Sequence, residues 1–197
     1  MKLILASTST YRADLLKRLR LPFVQMDPVY DEIPLAGETA AQRCRRLARG
    51  KALSLASQQP ASPYLIIASD QVVSLKSGEI LGKPGNFDAA HAQLKACAGA
   101  WVTYETAICL LTDGGRERVE SESVALHFRT LDDAAITRYL NLEAPWNAAG
   151  SIKLESLGIS LVDDSRGRDI NTVLGLPLML LVEMLQGLEI DVLNEIN

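Results

Sequence analysis

The sequence predicts an α/β fold, and three stretches carry that prediction. Tyr64 to Leu75 opens as an apolar run (Tyr64, Leu65, Ile66, Ile67, Ala68), breaks at Ser69-Asp70-Gln71 and resumes at Val72 and Val73. A β-branched run without polar alternation reads as a strand covered on both faces, the usual condition in an α/β sheet. Leu3 to Ala6, Ser7 to Thr10 and Tyr11 to Leu19 read as a strand, a tight loop and a helix, the helix from Leu15, Leu16 and Leu19 with charges between them. Finally, Trp101 to Leu111 and Glu117 to Phe128 read as two long strands joined at Asp113-Gly114-Gly115, a hairpin signal.

The remaining elements follow in order. Pro22 precedes a short strand, Phe23 to Met26, and a polar stretch from Asp27 to Glu38 presents the acids Asp31 and Glu32. Thr39 and Gln42 have the spacing of a capping box for a helix to about Ser57. That helix carries Arg43, Arg45, Arg46, Arg49 and Lys51, most of which read as a solvated face; Lys51, near the later turns, stands out only with support from elsewhere in the chain. A linker at Pro60 to Pro63 leads to the central strand, and Lys76 to Glu79 form a turn. Gly78 to Lys83 imitates a Walker A loop, but one residue is missing between the glycines and Pro84 stands where Ser or Thr must ligate metal. Gly82-Lys83-Pro84 nevertheless puts a lysine on a stiff turn.

Asn86 caps a helix ending near Gly99, and Thr130 to Leu142 forms another with Ile136, Tyr139 and Leu140 inward. In the second hairpin strand Val119, Ser121, Ser123, Ala125 and His127 alternate with Glu120, Glu122, Val124 and Leu126, which predicts one wet face. After Pro145-Trp146 and the turn Ala149-Gly150-Ser151, Ile159 to Val162 reads as a short strand and Asp163 to Asn171 as a polar loop. Gly175-Leu176-Pro177 opens a last helix, Leu178 to Leu188, with Pro near its first turn.

With 197 residues the chain can bury one substantial core, and 48% hydrophobic with 22% charged residues is ordinary for a soluble globular protein. The net charge of -4 argues against a dedicated nucleic-acid binder and leaves room for a local basic cleft. Cys44, Cys97 and Cys109 are scattered and form no CxxC pair, which fits buried thiols in a reducing compartment. The apolar start ends at Ala6, short of a signal-peptide core, and no run is long enough to span a bilayer, so a cytosolic protein is expected. His91 and His127 lie far apart without an accompanying nucleophile pattern, which argues against a serine or cysteine triad.

Several side chains suit phosphate chemistry. A strand, a small-residue loop and a helix start present free N–H groups and a helix dipole to an anion. Ser7 and Ser9 add hydroxyls, and Arg12 can fork onto a phosphate; equally, Ser9 or Thr10 is an ordinary cap and Arg12 a surface residue. Asp70 interrupts a strand, so it either lines a crevice at the carboxyl end of the sheet or caps a turn. Asp31-Glu32 is either solvated or offers carboxylates to Mg²⁺ beside substrate phosphates. Cations that cradle a triphosphate, carboxylates that hold metal and one carboxylate that deprotonates water would together serve phosphoanhydride hydrolysis. Spacing alone does not show that they converge.

The run Leu5-Ala6-Ser7-Thr8-Ser9 through Arg12 resembles the opening signature of the Maf family of nucleotide pyrophosphatases. The resemblance continues through Asp31-Glu32, Lys51-Ala52, Ser69-Asp70-Gln71-Val72-Val73, Gly82-Lys83-Pro84, Ala149-Gly150-Ser151, Glu155, Asp169, Asn171 and Gly175-Leu176-Pro177. It implies an elongated α/β protein of inosine-triphosphatase-like architecture, a mixed sheet with flanking helices and two lobes around a deep cleft, residues 1–197 forming one such domain. It further implies cleavage of nucleoside triphosphates to monophosphate and pyrophosphate with Mg²⁺ or Mn²⁺, in a homodimer; the acidic charge, few aromatics and lack of a long apolar run argue separately against stable nucleic-acid or membrane partners. On this resemblance Asp70 is the proton acceptor, Glu32 and Asp70 bind metal, and Ser7, Ser9, Arg12, Lys51 and Lys83 hold phosphates. Thr10 departs from the Pro usual in the family, which loosens the loop without removing a reacting group.

Arg12, Gln71 and Glu155 are the positions the resemblance assigns to substrate specificity, and the pair Gln71/Glu155 is similar to the subgroup acting on 7-methyl-GTP. The dTTP/UTP subgroup tends to carry Thr and Gln there. The Watson–Crick edge of guanine offers two donors that one carboxylate can accept, and N7-methylation makes the base cationic. Thymine and uracil present carbonyls that Glu155 would repel. The expected activity is therefore hydrolysis of 7-methyl-GTP to 7-methyl-GMP and pyrophosphate. Its alternatives are a dTTP/UTP pyrophosphatase of the same family and a nucleotide-binding regulator of cell division or septum formation.

Overall fold

Local chemistry sets most helix starts in the computed structural model, which describes residues 1–58 and 63–195. The linker read at Pro60 to Pro63 therefore lies, except for Pro63, outside the described residues. Helix α1 (Thr10–Lys17) begins behind Ser9, whose hydroxyl accepts from the Arg12 N–H. Helix α2 (Ala40–Ala56) carries the expected reciprocal box, Thr39 accepting from Gln42 N–H and Gln42 from Thr39 N–H. Asn86 caps α3 (Phe87–Cys97) and Asp132 caps α4 (Asp133–Glu143) by a single bond each, their side chains accepting from the Ala89 and Ala135 N–H groups. Helix α5 (Leu178–Gln186) starts directly after Pro177, and a short helix α6 (Val192–Glu195) follows.

The strands are β1 (Lys2–Ala6), β2 (Phe23–Met26), β3 (Tyr64–Leu75), β4 (Trp101–Thr112), β5 (Glu117–Phe128) and β6 (Val162–Arg166). They form one mixed sheet in the order β2-β1-β3-β4-β5-β6. Strand β1 pairs in parallel with β2 and β3, whereas β5 and β6 are antiparallel with a register shift at His127/Phe128. Flanking helices complete a mixed α/β fold, as the sequence predicts.

The last strand is a correction. Leu157–Leu161 is a 3₁₀ turn with Ile159 exposed, and the strand occupies Val162–Arg166, overlapping the expected strand only at Val162 and otherwise lying in the stretch read as a polar loop. Val-Asp-Asp-Ser-Arg has no apolar alternation because it stands at the end of the sheet order. Backbone pairing with β5, not burial of side chains, makes it a strand.

Two compact units divide the chain. The first comprises Met1–Gln71, Glu105–Glu122 and Asp169–Asn197. Its core joins Leu3 and Leu5 of β1, Leu15 and Leu16 of α1, Leu65 and Ile67 of β3, Ile108 and Leu110 of β4, and Leu181, Met184 and Leu185 of α5. The second comprises Val72–Tyr104 and Ser123–Arg168, and buries Leu94, Val102, Tyr104, Val124, Leu126, Phe128, Ile136 and Leu140.

The hairpin straddles this division, and its burial changes along its length. In the second unit Val102 and Tyr104, like Val124, Leu126 and Phe128, alternate with half-buried or exposed neighbours, giving the expected wet face. In the first unit Thr106 through Leu111 of β4 are buried without interruption, whereas Glu117 through Glu122 of β5 are half-buried or exposed throughout, so the alternation is lost in both strands. Helix α2 lies against this part: Arg49 Nε bonds to Glu117 at 2.7 Å and Arg45 Nη2 to the Val119 carbonyl at 2.7 Å. These arginines, read as a solvated face, are half-exposed but held in pairs.

Candidate functional site

The first unit gathers the candidate phosphate loop and the candidate acids. Strand β1 ends at Ala6 and three residues later Ser9 caps α1, so Ser7 to Ser9 bend tightly between strand and helix. Ser7 is buried, and its hydroxyl accepts from Ser9 N–H at 3.1 Å and faces Arg12 Nη1 at 3.5 Å. Thr10 is the first residue of α1, and the Ser9 cap forms without the proline usual in the family.

Arg12 turns its guanidinium back over this loop, its Nε donating to the Gly175 carbonyl at 2.9 Å. Burial pulls its pKa below the ordinary arginine value, while the charges of Asp70 and Glu32 act in the opposite direction. The same Gly175 carbonyl accepts from Ser69 Oγ at 2.8 Å. Gly175 has φ +94°, and a Cβ there would stand 3.1 Å from Arg12 Nε. Glycine thus meets both a left-handed backbone and a close side chain.

Asp70 lies in β3 with only 5% of its surface exposed, and Lys51 of α2 with 8%. Lys51 Nζ donates to Asp70 Oδ1 at 2.5 Å and stands 2.6 Å from Glu32 Oε1, whose side chain is 54% exposed. The turn-cap reading of Asp70 therefore gives way to a buried carboxylate paired with a lysine. Burial raises its pKa, opposed by the charges of Lys51 and Arg12 and reinforced by that of Glu32.

Glu32 reaches this place because its loop is anchored on α2. The ring of Tyr30 lies over Gly50, where a Cβ would come within 2.2 Å of ring carbon Cζ. Arg46 Nη2 bonds to the Ile33 carbonyl at 3.0 Å and its guanidinium pairs with Glu38. Tyr30, Arg46, Arg49, Gly50, Leu53 and Ser54 line an open cavity of about 470 Å³.

The donor chemistry fits a hard divalent cation. Two carboxylates converge on one cationic nitrogen, so the ammonium of Lys51 marks where positive charge is favoured. Oxygen donors from one or two carboxylates, completed by phosphate and water, are what Mg²⁺ takes. Among the described residues no group of three or more His, Cys, Asp or Glu side chains forms a closed metal site.

Gln71 follows Asp70 but projects to the opposite face of β3, as successive strand residues do. Its Nε2 donates to the carbonyls of Thr172 and Val173 at 2.7 and 3.0 Å and to Thr106 Oγ1 at 3.0 Å. Asp169, buried just before a 3₁₀ turn (Ile170–Thr172), accepts from Asn171 and from the Met179 N–H in the first turn of α5. It is a structural cap. Ser69, Gly175, Gln25, Tyr30 and Gly50 were not assigned roles from the sequence. Of these only Gly50, a glycine inside a helix, and Gly175 beside Pro177 carry a local signal.

Lys83 and Glu155 belong to the second unit, and both are exposed. The Lys83 turn is held by Gln93 Nε2 on the Gly82 carbonyl at 3.1 Å and by Gly85 N–H on the Trp146 carbonyl at 3.0 Å. Glu155 sits in a bend closed by Ser156 N–H on the Lys153 carbonyl. Lys153 itself turns to the Glu143 carbonyl at 2.5 Å.

The family described as Maf-like protein matches residues 2–188. A protein of Pseudomonas savastanoi pv. phaseolicola named 7-methyl-GTP pyrophosphatase is 47% identical over 184 residues, covering 93% of this chain and 94% of its own. A Bordetella pertussis protein of the same name is 45% identical over 193 residues, covering 98% and 95%. Among solved structures, the Staphylococcus aureus Ham1 protein aligns with a TM-score of 0.45 at 14% identity, over 65% of this chain and 72% of its own, a likeness too low to build on. The full-length match and the high identity of these relatives establish that the chain belongs to the Maf-like protein family.

Proposed function

We propose that the protein hydrolyses 7-methyl-GTP to 7-methyl-GMP and pyrophosphate. The observation that carries this reading is the buried Asp70 joined to Lys51 and Glu32 in the same unit as the Ser7–Arg12 loop. Relatives named for this activity at 47% and 45% identity support it.

In the proposed reaction Asp70 accepts a proton from the attacking water. Burial raises its affinity for that proton, which suits a carboxylate that must accept one. Water attacks the α-phosphorus, the α–β anhydride bond breaks, and pyrophosphate leaves. Ser7, Ser9, Arg12, Lys51 and Lys83 hold the phosphates, with Arg12 kept at its loop by the Gly175 carbonyl. Glu32 and Asp70 would hold a divalent cation; when bound, Mg²⁺ or Mn²⁺ supplies charge neutralisation at the triphosphate. Residues 1–197 act as one nucleotide pyrophosphatase domain in this reading.

Base choice rests on acceptors. Gln71 gives its amide hydrogens to protein oxygens, so its carbonyl oxygen is what it can offer a base. Glu155, in the second unit, offers a carboxylate, which suits the donor edge of a cationic guanine. The test is pyrophosphate release from the purified protein with Mg²⁺ or Mn²⁺, against 7-methyl-GTP, GTP, dTTP, UTP, CTP and ATP. The expected outcome is fastest release from 7-methyl-GTP, reduced on the order of 10²–10⁴-fold in Asp70→Asn, the usual range for losing a general base. Release from no nucleotide would overturn the enzyme reading; preference for dTTP or UTP would overturn the base assignment alone.

A further inference from the structure

We infer that Gln25 is a positioning residue of the phosphate loop, aiming the Thr8 N–H at the anion by holding the Ser7 carbonyl away from it. This rests on the phosphate role proposed for the Ser7–Arg12 loop. Gln25 lies in β2, one residue before its end, and its register partner in β1 is Leu5. From there its side chain passes the end of β1. Nε2 donates to the Ser7 carbonyl at 2.7 Å and to the Ser9 carbonyl at 3.1 Å. The Ser7 N–H is taken too, donating to the Met26 carbonyl at 3.0 Å. Strand β2 thereby grips the loop on either side of Thr8.

The consequence follows from peptide geometry. In a planar trans peptide the C=O of one residue and the N–H of the next point in opposite directions, and no peptide bond described here is cis. Fixing the Ser7 carbonyl on Gln25 therefore turns the Thr8 N–H away from it, while the Ser9 carbonyl, shared between Gln25 and the Ala13 N–H at 3.2 Å, keeps the Thr10 N–H in the direction set by the helix start. Thr10 opens α1, so its N–H is one of the orphan donors of a helix start. Gln25 also withdraws the Ser7 carbonyl dipole, which would repel phosphate oxygens. Without it the Ser7–Thr8 peptide could present either polarity.

The experiment compares wild type, Gln25→Met and Gln25→Glu. Met keeps the length and loses the donors; Glu keeps the shape but sets an acceptor against two carbonyls. Calorimetry measures binding of inorganic pyrophosphate and of 7-methylguanosine, and steady-state kinetics measure 7-methyl-GTP turnover. Gln25→Met should weaken pyrophosphate binding and raise KM for the triphosphate about three- to tenfold, the worth of a hydrogen bond or two, with kcat nearly unchanged. Gln25→Glu should lose more. Nucleoside affinity should stay at the wild-type value, since the Gln25 side chain bonds only to the Ser7 and Ser9 carbonyls of the loop. Unchanged pyrophosphate affinity in both variants would overturn the proposal. So would an equal loss for nucleoside and pyrophosphate, a lowered melting temperature with ligand affinity intact, or a wild type that does not bind pyrophosphate. Wild-type protein that binds pyrophosphate in a Gln25-dependent way yet releases none from nucleotides would uphold the proposal and overturn the enzymatic reading.

Discussion

Lys51 carries two relationships at once, to Asp70 inside the protein and to Glu32 nearer the solvent. Removing one partner of a buried ion pair leaves a charge without compensation, which typically costs about 3–5 kcal/mol. Lys51→Met should therefore lower unfolding free energy by roughly that amount, and Lys51→Met/Asp70→Leu should recover most of it, read by urea denaturation of both variants. An additive double variant would mean that the pair is not coupled. Asp70 and Lys51 were legible in the sequence to different degrees. An acid interrupting an apolar strand is conspicuous; a lysine among four arginines on one helix is not, and only the family resemblance singled it out. Gln25 was illegible, because a glutamine on a short strand looks the same whether it meets water or clamps a loop.

At the level of elements, α2 does more than cover the sheet. Gly50 costs a helix interior roughly 0.5–1 kcal/mol relative to Ala, and what it gives is room for the Tyr30 ring. Gly50→Ala should consequently gain helix propensity yet push Tyr30 off, taking the Glu32 loop with it. The expected outcome is a weaker Mg²⁺ or Mn²⁺ requirement curve, its half-saturation moved upward several-fold, with Tyr30→Ala giving a similar shift. Metal titration of activity in the two variants checks this, and an unmoved half-saturation would separate the anchor from Glu32. Caps and turns made the helices legible, since Thr39-Gln42, Asn86 and Asp132 act over three residues. Strand β6 was not legible. Its pairing partner β5 lies more than thirty residues earlier in sequence, and no local pattern reports such a bond.

For the whole molecule, the two units differ in what they contribute. The first holds the buried acid, the lysine and the strand–loop–helix; the second carries Lys83 and Glu155 on exposed turns. Exposed residues can be exchanged at small cost to stability, so specificity in the second unit is open to direct test. Glu155→Gln should fold with a melting temperature close to wild type and shift the ratio of kcat/KM for 7-methyl-GTP over UTP downward by about tenfold or more, the loss of a charge-assisted contact. A ratio that stays in place would show that Glu155 does not read the base. No helix among the described residues is long and apolar enough to cross a membrane.

The open end of the sheet has a consequence of its own. Strand β6 closes the order with Asp163, Asp164 and Arg166, and Arg166 lies across the ring of Trp101 at 4.1 Å from its centroid. An outermost strand is a template on which another chain can add itself, and charges along it make that addition unfavourable. The polarity that disguised β6 as a loop is thus also a guard against runaway self-association.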